Sequence, residues 1–168
     1  MTYQPILNRE GRPVFLYDRH MPKTDDIELI VLKGHLLVEG MLMDLANGAL
    51  PNPQFLPERL SFYQLAQIVR AAVSQRSTDQ CWELIMKLNA LRNYLAHKLE
   101  SPKREATLSE LFQVHDRVQP EPEMVFDKSA EKSLSDPERL RLVIEDSMRF
   151  LGWLTFRAME AREVVPKS

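Results

Sequence analysis

Three neighbouring residues, Arg92, Asn93 and His97, carry side chains suited to work on a phosphodiester. An imidazole titrates near neutrality and can take or give a proton. A guanidinium keeps its charge and offers a fork of donors that matches phosphate oxygens. An amide can hold a phosphate oxygen or fix the orientation of an imidazole. With RNA this set is chemically sufficient. The base removes the 2′-hydroxyl proton, the oxygen attacks the adjacent phosphorus, and the arginine stabilises charge gathering on the phosphoryl oxygens. The products are a 2′,3′-cyclic phosphate and a 5′-hydroxyl end, and DNA, lacking the 2′-hydroxyl, resists. The sequence sets no acidic pair and no metal-ligand cluster beside the three, so metal-independent chemistry without a cofactor is expected. The plainer reading gives Arg92 and Asn93 to helix ends or carbonyls near Pro102.

The elements that must position these residues are helices. At about 100° per residue, His97 shares a face with Asn93, and Arg92 lies about 140° around from His97. The helix that carries them is capped by Ser77-Thr78-Asp79 and runs from Asp79 to near Leu99, where Pro102 closes it. A first helix starts at the Thr24-Asp25-Asp26 cap and ends at Asn47-Gly48, with Gly48 as a left-handed C-cap. The proline-rich stretch from Pro51 to Pro57 forms a stiff loop, and Ser61 begins the next helix. A shorter helix is expected from Thr107 to Val118. Ser135-Asp136-Pro137 opens a last one to near Val164, with the proline at its first position. Before all of these, Pro5-Ile6-Leu7 and Pro13 to Tyr17 flank a turn at Asn8-Arg9-Glu10-Gly11, the pattern of a hairpin or extended arm. The expected fold is all-α, an up-and-down bundle of roughly four to five helices. The arm takes residues 1–23 and the bundle 24–168.

Two of the helices have more than one apolar face. On the motif helix, Leu84, Leu88, Leu91 and Leu95 form a core seam, and Glu83, Lys87, Tyr94 and Lys98 form a solvent flank. The face opposite the core holds Trp82, Met86, Asn89, Asn93 and His97, with no charged side chain except that of a protonated histidine. On the first helix, Ile27, Val31, Gly34, Val38, Met41 and Leu45 make one face, and Leu29, Leu32, Leu36 and Met43 make another. Such helices sit in the middle of a layer or at a subunit contact. A homodimer interface is expected, against cover by the N-terminal arm or the last helix of the same chain. His35 and Glu39, one turn apart on the polar flank, form a helical pair or a second shell behind the site. Lys98, Lys103 and Arg104 follow the motif and are candidates to hold an RNA backbone. His20 and His115 are expected at the surface, and Phe150, Trp153 and Phe156 in a core or interface.

Composition narrows the setting. The 168 residues suffice for one domain, with 44% hydrophobic and 27% charged residues. A net charge of −2 offers no global attraction to nucleic acid, so any RNA contact needs a local basic patch. The single cysteine, Cys81, excludes an intrachain disulfide. Arg9, Glu10 and Arg12 interrupt the start of the chain, so no signal peptide is expected, and no run reaches the roughly 20 apolar residues of a membrane span. The cytoplasm is the expected location.

The string Leu88-Asn89-Ala90-Leu91-Arg92-Asn93-Tyr94-Leu95-Ala96-His97 resembles the signature of the HEPN superfamily (higher eukaryotes and prokaryotes nucleotide-binding). It is also similar to the segment of mannitol-operon-repressor-like helical proteins. In the HEPN family an arginine, a following polar residue and a histidine four to six residues on form the site of many metal-independent ribonucleases. The resemblance therefore implies Arg92, Asn93 and His97 as site residues, and a dimer that brings two motifs together. It also implies RNA as substrate, a toxin or defence setting, and an antitoxin or regulatory protein as partner. Toxin members paired with a nucleotidyltransferase carry a tyrosine two residues after the histidine, and this chain has Leu99 there, so that mode of inactivation is not carried over. The alternative within the family is a regulatory or binding module without catalysis.

Overall fold

The computed structural model describes residues 14–73, 78–97, 102–120, 126 and 133–163. The part of the expected arm at residues 1–13 lies outside them. The described residues form six α-helices: α1 (Val14–His20), α2 (Ile27–Ala49), α3 (Phe62–Val73), α4 (Asp79–His97), α5 (Pro102–Arg117) and α6 (Asp136–Glu163). A short 3-10 turn at Pro53–Phe55 sits in the proline-rich loop. The fold is an all-α bundle.

Local chemistry fixes most of the helix starts. The Asp26 carboxylate accepts from the backbone N–H groups of Glu28 and Leu29, which satisfies two of the orphan donors at the head of α2. Ser61 and Gln64 form a reciprocal capping box on α3, with Gln64 N–H donating to Ser61 Oγ and Ser61 N–H to Gln64 Oε1. Ser135 and Glu138 open α6 in a similar way, and their hydrogen bonds lower the Glu138 carboxyl below its ordinary range. At the other end of α2, the helix runs through Gly48 to Ala49. Leu50, forced to an extended conformation by Pro51, ends it, so Gly48 is not the C-cap that the sequence suggests. Pro102 also differs from expectation. It opens α5 as its first residue, which brings that helix forward from Thr107.

Residues 14–20 are helical rather than extended, a correction to the arm reading of Val14 to Tyr17. Seven residues are too few for a helix to persist alone. Packing holds them: Tyr17 and Met21 are buried, and the Tyr17 hydroxyl donates to the Arg141 carbonyl at 3.5 Å.

The core lies around α2, which touches α1, α3, α4 and α6. Its closest neighbour is α6, and the two run parallel. Arg141, early in α6, donates to the carbonyls of Pro22 and Thr24 just before α2. Gly34 faces Ile144, Gly48 lies beside Thr155, and Arg162 reaches the Leu50 carbonyl. Counted from α2 to α6 these are the first and fifth helices, so a parallel run is what up-and-down alternation gives this pair. By contrast, α4 and α5 form an antiparallel hairpin laced by Lys87–Glu110 at 2.6 Å and Glu83–Arg117 at 3.4 Å. The charged flank of α4 is thus its seam with α5.

His115, expected at the surface, is sealed between α5 and α6. Its Nε2 lies 2.8 Å from Asp146 Oδ2, and neither side chain is more than 1% exposed. Arg149 donates to the other Asp146 oxygen and to Glu145, so the buried carboxylate has a cation as well as the imidazole.

Candidate functional site

Helix α4 presents the site by burying most of its own surface. Leu84, Leu88 and Leu91 are fully buried, as the core seam predicts, and Leu95 is partly so. The opposite face is covered within the chain at its N-terminal half. Trp82 is buried, with its ring edge-on to Phe150 of α6 at 5.3 Å between centroids. Asn89 is buried against α2. For this half of α4 the intrachain explanation replaces the subunit contact.

Past Asn89 the cover ends. Arg92 is half-buried, and Asn93 and Ala96 are exposed. Arg92 Nη1 donates to Asn93 Oδ1 at 3.2 Å, so the two residues that the motif sets side by side do meet through the length of the arginine arm. The Arg92 Nε–H is buried without a partner. Among the described residues no carboxylate pairs with this guanidinium, although Arg70, Arg104, Arg117, Arg139 and Arg149 all hold one. His97 closes α4 as a backbone position, and its side chain lies outside the described residues.

His35 joins this face from α2. It is buried, its Nε2 lies 3.0 Å from Asn89 Oδ1, and its ring packs on Phe62 of α3 with centroids 4.3 Å apart. The imidazole is held below its ordinary pKa, first by burial. The hydrogen bond to Asn89 and the Glu39 charge pull the other way, and the Arg92 charge adds to the lowering. Hence His35 is neutral at pH 7, and since an amide oxygen only accepts, Nε2 carries the proton. Glu39, half-buried one turn on, faces the same ring. Of the expected second shell, His35 bonds the motif helix directly and Glu39 acts on it through charge.

The expected backbone contacts divide. Arg104 is committed to Glu28 of α2 at 2.8 Å. Lys103 is exposed in the first turn of α5, and Lys98 lies outside the described residues. The residue that sequence reasoning missed is Asn89. It stands in the motif string, and its place one turn before Asn93 on an uncharged face was the available signal. Among the described residues no group of three or more histidine, cysteine or carboxylate side chains converges. No described helix is long and apolar enough to cross a membrane. Compared with known proteins, the chain matches no family model, no curated protein and no solved structure.

Proposed function

We propose that the protein is a metal-independent endoribonuclease of HEPN type, with Arg92, Asn93 and His97 as its working residues. The observation that carries this is Arg92, a guanidinium without a carboxylate partner among the described residues, set at the open end of α4 beside an exposed amide. A charge left without a counterion where a helix emerges from cover is a ready ligand for phosphate oxygens. In the reaction, His97 takes the 2′-hydroxyl proton and the 2′-oxygen bonds to phosphorus. The bond from phosphorus to the 5′-oxygen breaks, and that oxygen takes a proton from solvent. Arg92 and Asn93 hold the phosphoryl oxygens while charge builds on them. A homodimer belongs to the same proposal, supported by the exposed row Leu29, Leu32, Leu36 and Met43 on α2.

The test is RNA incubated with the purified protein in chelator. Cleavage to cyclic-phosphate ends is expected, with DNA untouched, and Arg92→Ala or His97→Ala should each cost about a hundredfold or more. Undiminished cleavage by either variant sinks the assignment. A binding module without catalysis is the second reading. It is favoured by the engagement of Arg104 with Glu28 and by the net charge of −2, which leave little basic surface to gather RNA. RNA or nucleotide binding with no cleavage by the wild-type protein would select it.

A further inference from the structure

The geometry points to Asn89, held by His35, as a further anion-binding residue: its amide nitrogen and the guanidinium of Arg92 form a donor set for the oxygens of one phosphate. This rests on reading Arg92 as a phosphate ligand, and it extends the site one turn back along α4. Asn89 is only 9% exposed, yet one end of its amide alone is spent. Its oxygen accepts from His35 Nε2, and its nitrogen, with two donors, has no partner among the described residues. Among those same residues, the sealed, unpartnered polar side-chain atoms are Trp82 Nε1, Arg92 Nε and Arg139 Nε. The Asn89 nitrogen is not among them, so it keeps an opening to solvent.

Residues three apart on a helix are neighbours, with Cβ atoms about 5–6 Å apart. The unspent donors of Asn89 and Arg92 therefore border one patch of α4, and exposed Asn93 continues it. A phosphate is the ligand class that uses several N–H donors and returns none. His35 is a positioning residue here. By occupying the Asn89 oxygen from behind, it fixes which end of the amide faces outward, and its neutral ring adds no charge of its own. Glu39 also faces His35 from α2, so its carboxylate bears on the ring that holds the Asn89 oxygen.

Titration of the isotope-labelled full chain with inorganic phosphate, at pH 8 and constant ionic strength, tests the proposal by NMR. The Asn89 side-chain NH2 and the Arg92 guanidinium signals should move together with one Kd. Asn89→Asp keeps an acceptor for His35 but removes both donors, and Asn89→Ser serves where the buried carboxylate prevents folding. Either should weaken phosphate binding about tenfold or more. His35→Gln, which can still donate to the Asn89 oxygen, should retain binding, whereas folded His35→Leu should lose it. Phosphate that moves Arg92 but not Asn89, or wild-type affinity in a folded Asn89 variant, overturns the proposal. A protein that leaves RNA intact but shows the paired shift keeps this inference and defeats the ribonuclease. Cleavage that needs Arg92 and is indifferent to Asn89 does the reverse.

Discussion

Burial sets the charge state of His35, outweighing the Asn89 hydrogen bond and the Glu39 carboxylate, and the Arg92 charge works in the same direction as burial. The folded chain therefore refuses a proton that the unfolded chain accepts below its ordinary value of 6.5. By linkage, this contribution to stability is complete above pH 6.5. It shrinks as the pH falls toward the lowered folded value and levels off beneath it. Thermal melts from pH 8 to pH 5 should show the melting temperature falling on the acid side, and His35→Gln should flatten that fall. An equally steep fall in the variant would place the titration elsewhere. At this scale the sequence was half legible. Residue types flagged Arg92, Asn93, His97, His35 and Glu39, because chemistry follows from type. The partnership of His35 with Asn89 spans 54 positions and depends on how α2 meets α4, which no local pattern encodes. His115 was misjudged for the same reason: a histidine near a presumed loop reads as solvated until the helix register places it against Asp146.

At the scale of elements, Gly34 shows how tightly α2 and α6 are set. A Cβ at Gly34 would lie 2.2 Å from Ile144 Cδ1, 2.7 Å from its Cγ1 and 3.1 Å from its Cγ2. Ile144 is fully buried, so it has no room to swing away. Gly34→Ala gains about 1 kcal/mol of helix propensity but overpacks the seam by more, with a net loss of about 1–2 kcal/mol expected. Gly40, on the same helix, has nothing within 4 Å of where a Cβ would stand, so Gly40→Ala should be neutral or stabilising by up to about 1 kcal/mol. Denaturant unfolding of the two variants checks the opposite signs, and equal effects would refute the account of the seam. Helix existence was largely legible at this scale, because apolar periodicity and the caps at Asp26, Ser61 and Ser135 are local signals. Proline signals were ambiguous, since Pro102 both follows α4 and begins α5. Residues 14–20 were misread because a short apolar run takes its shape from what it packs on, here the core beneath Tyr17.

For the whole molecule, the two apolar faces seen in sequence have different fates. The second face of α4 is consumed inside the chain as far as Asn89, by Phe150 and His35. The second face of α2 is not: Leu29, Leu32, Leu36 and Met43 are 37%, 45%, 52% and 41% exposed. The row from Leu29 to Met43 extends about 21 Å along the helix, long enough for a helix–helix seam with a second copy. Periodicity alone cannot separate these cases, because it reports that a face avoids water and not which surface relieves it. Glu39 and His35 border the row on α2, so pairing two α2 faces would draw two copies of the Arg92 site toward one another. Sedimentation at about 50 μM should therefore show a dimer, a concentration at which a specific interface of ordinary affinity is filled. Leu36→Asp should yield a monomer whose own fold is little changed, since Leu36 buries no core contact, with an effect on monomer stability within about 0.5 kcal/mol. If the site needs both copies, the same variant also loses RNA cleavage while keeping phosphate binding at Arg92. A wild-type chain that sediments as a monomer removes the dimer, and cleavage that persists in the Leu36→Asp monomer removes the need for a second copy while leaving the single-chain site intact.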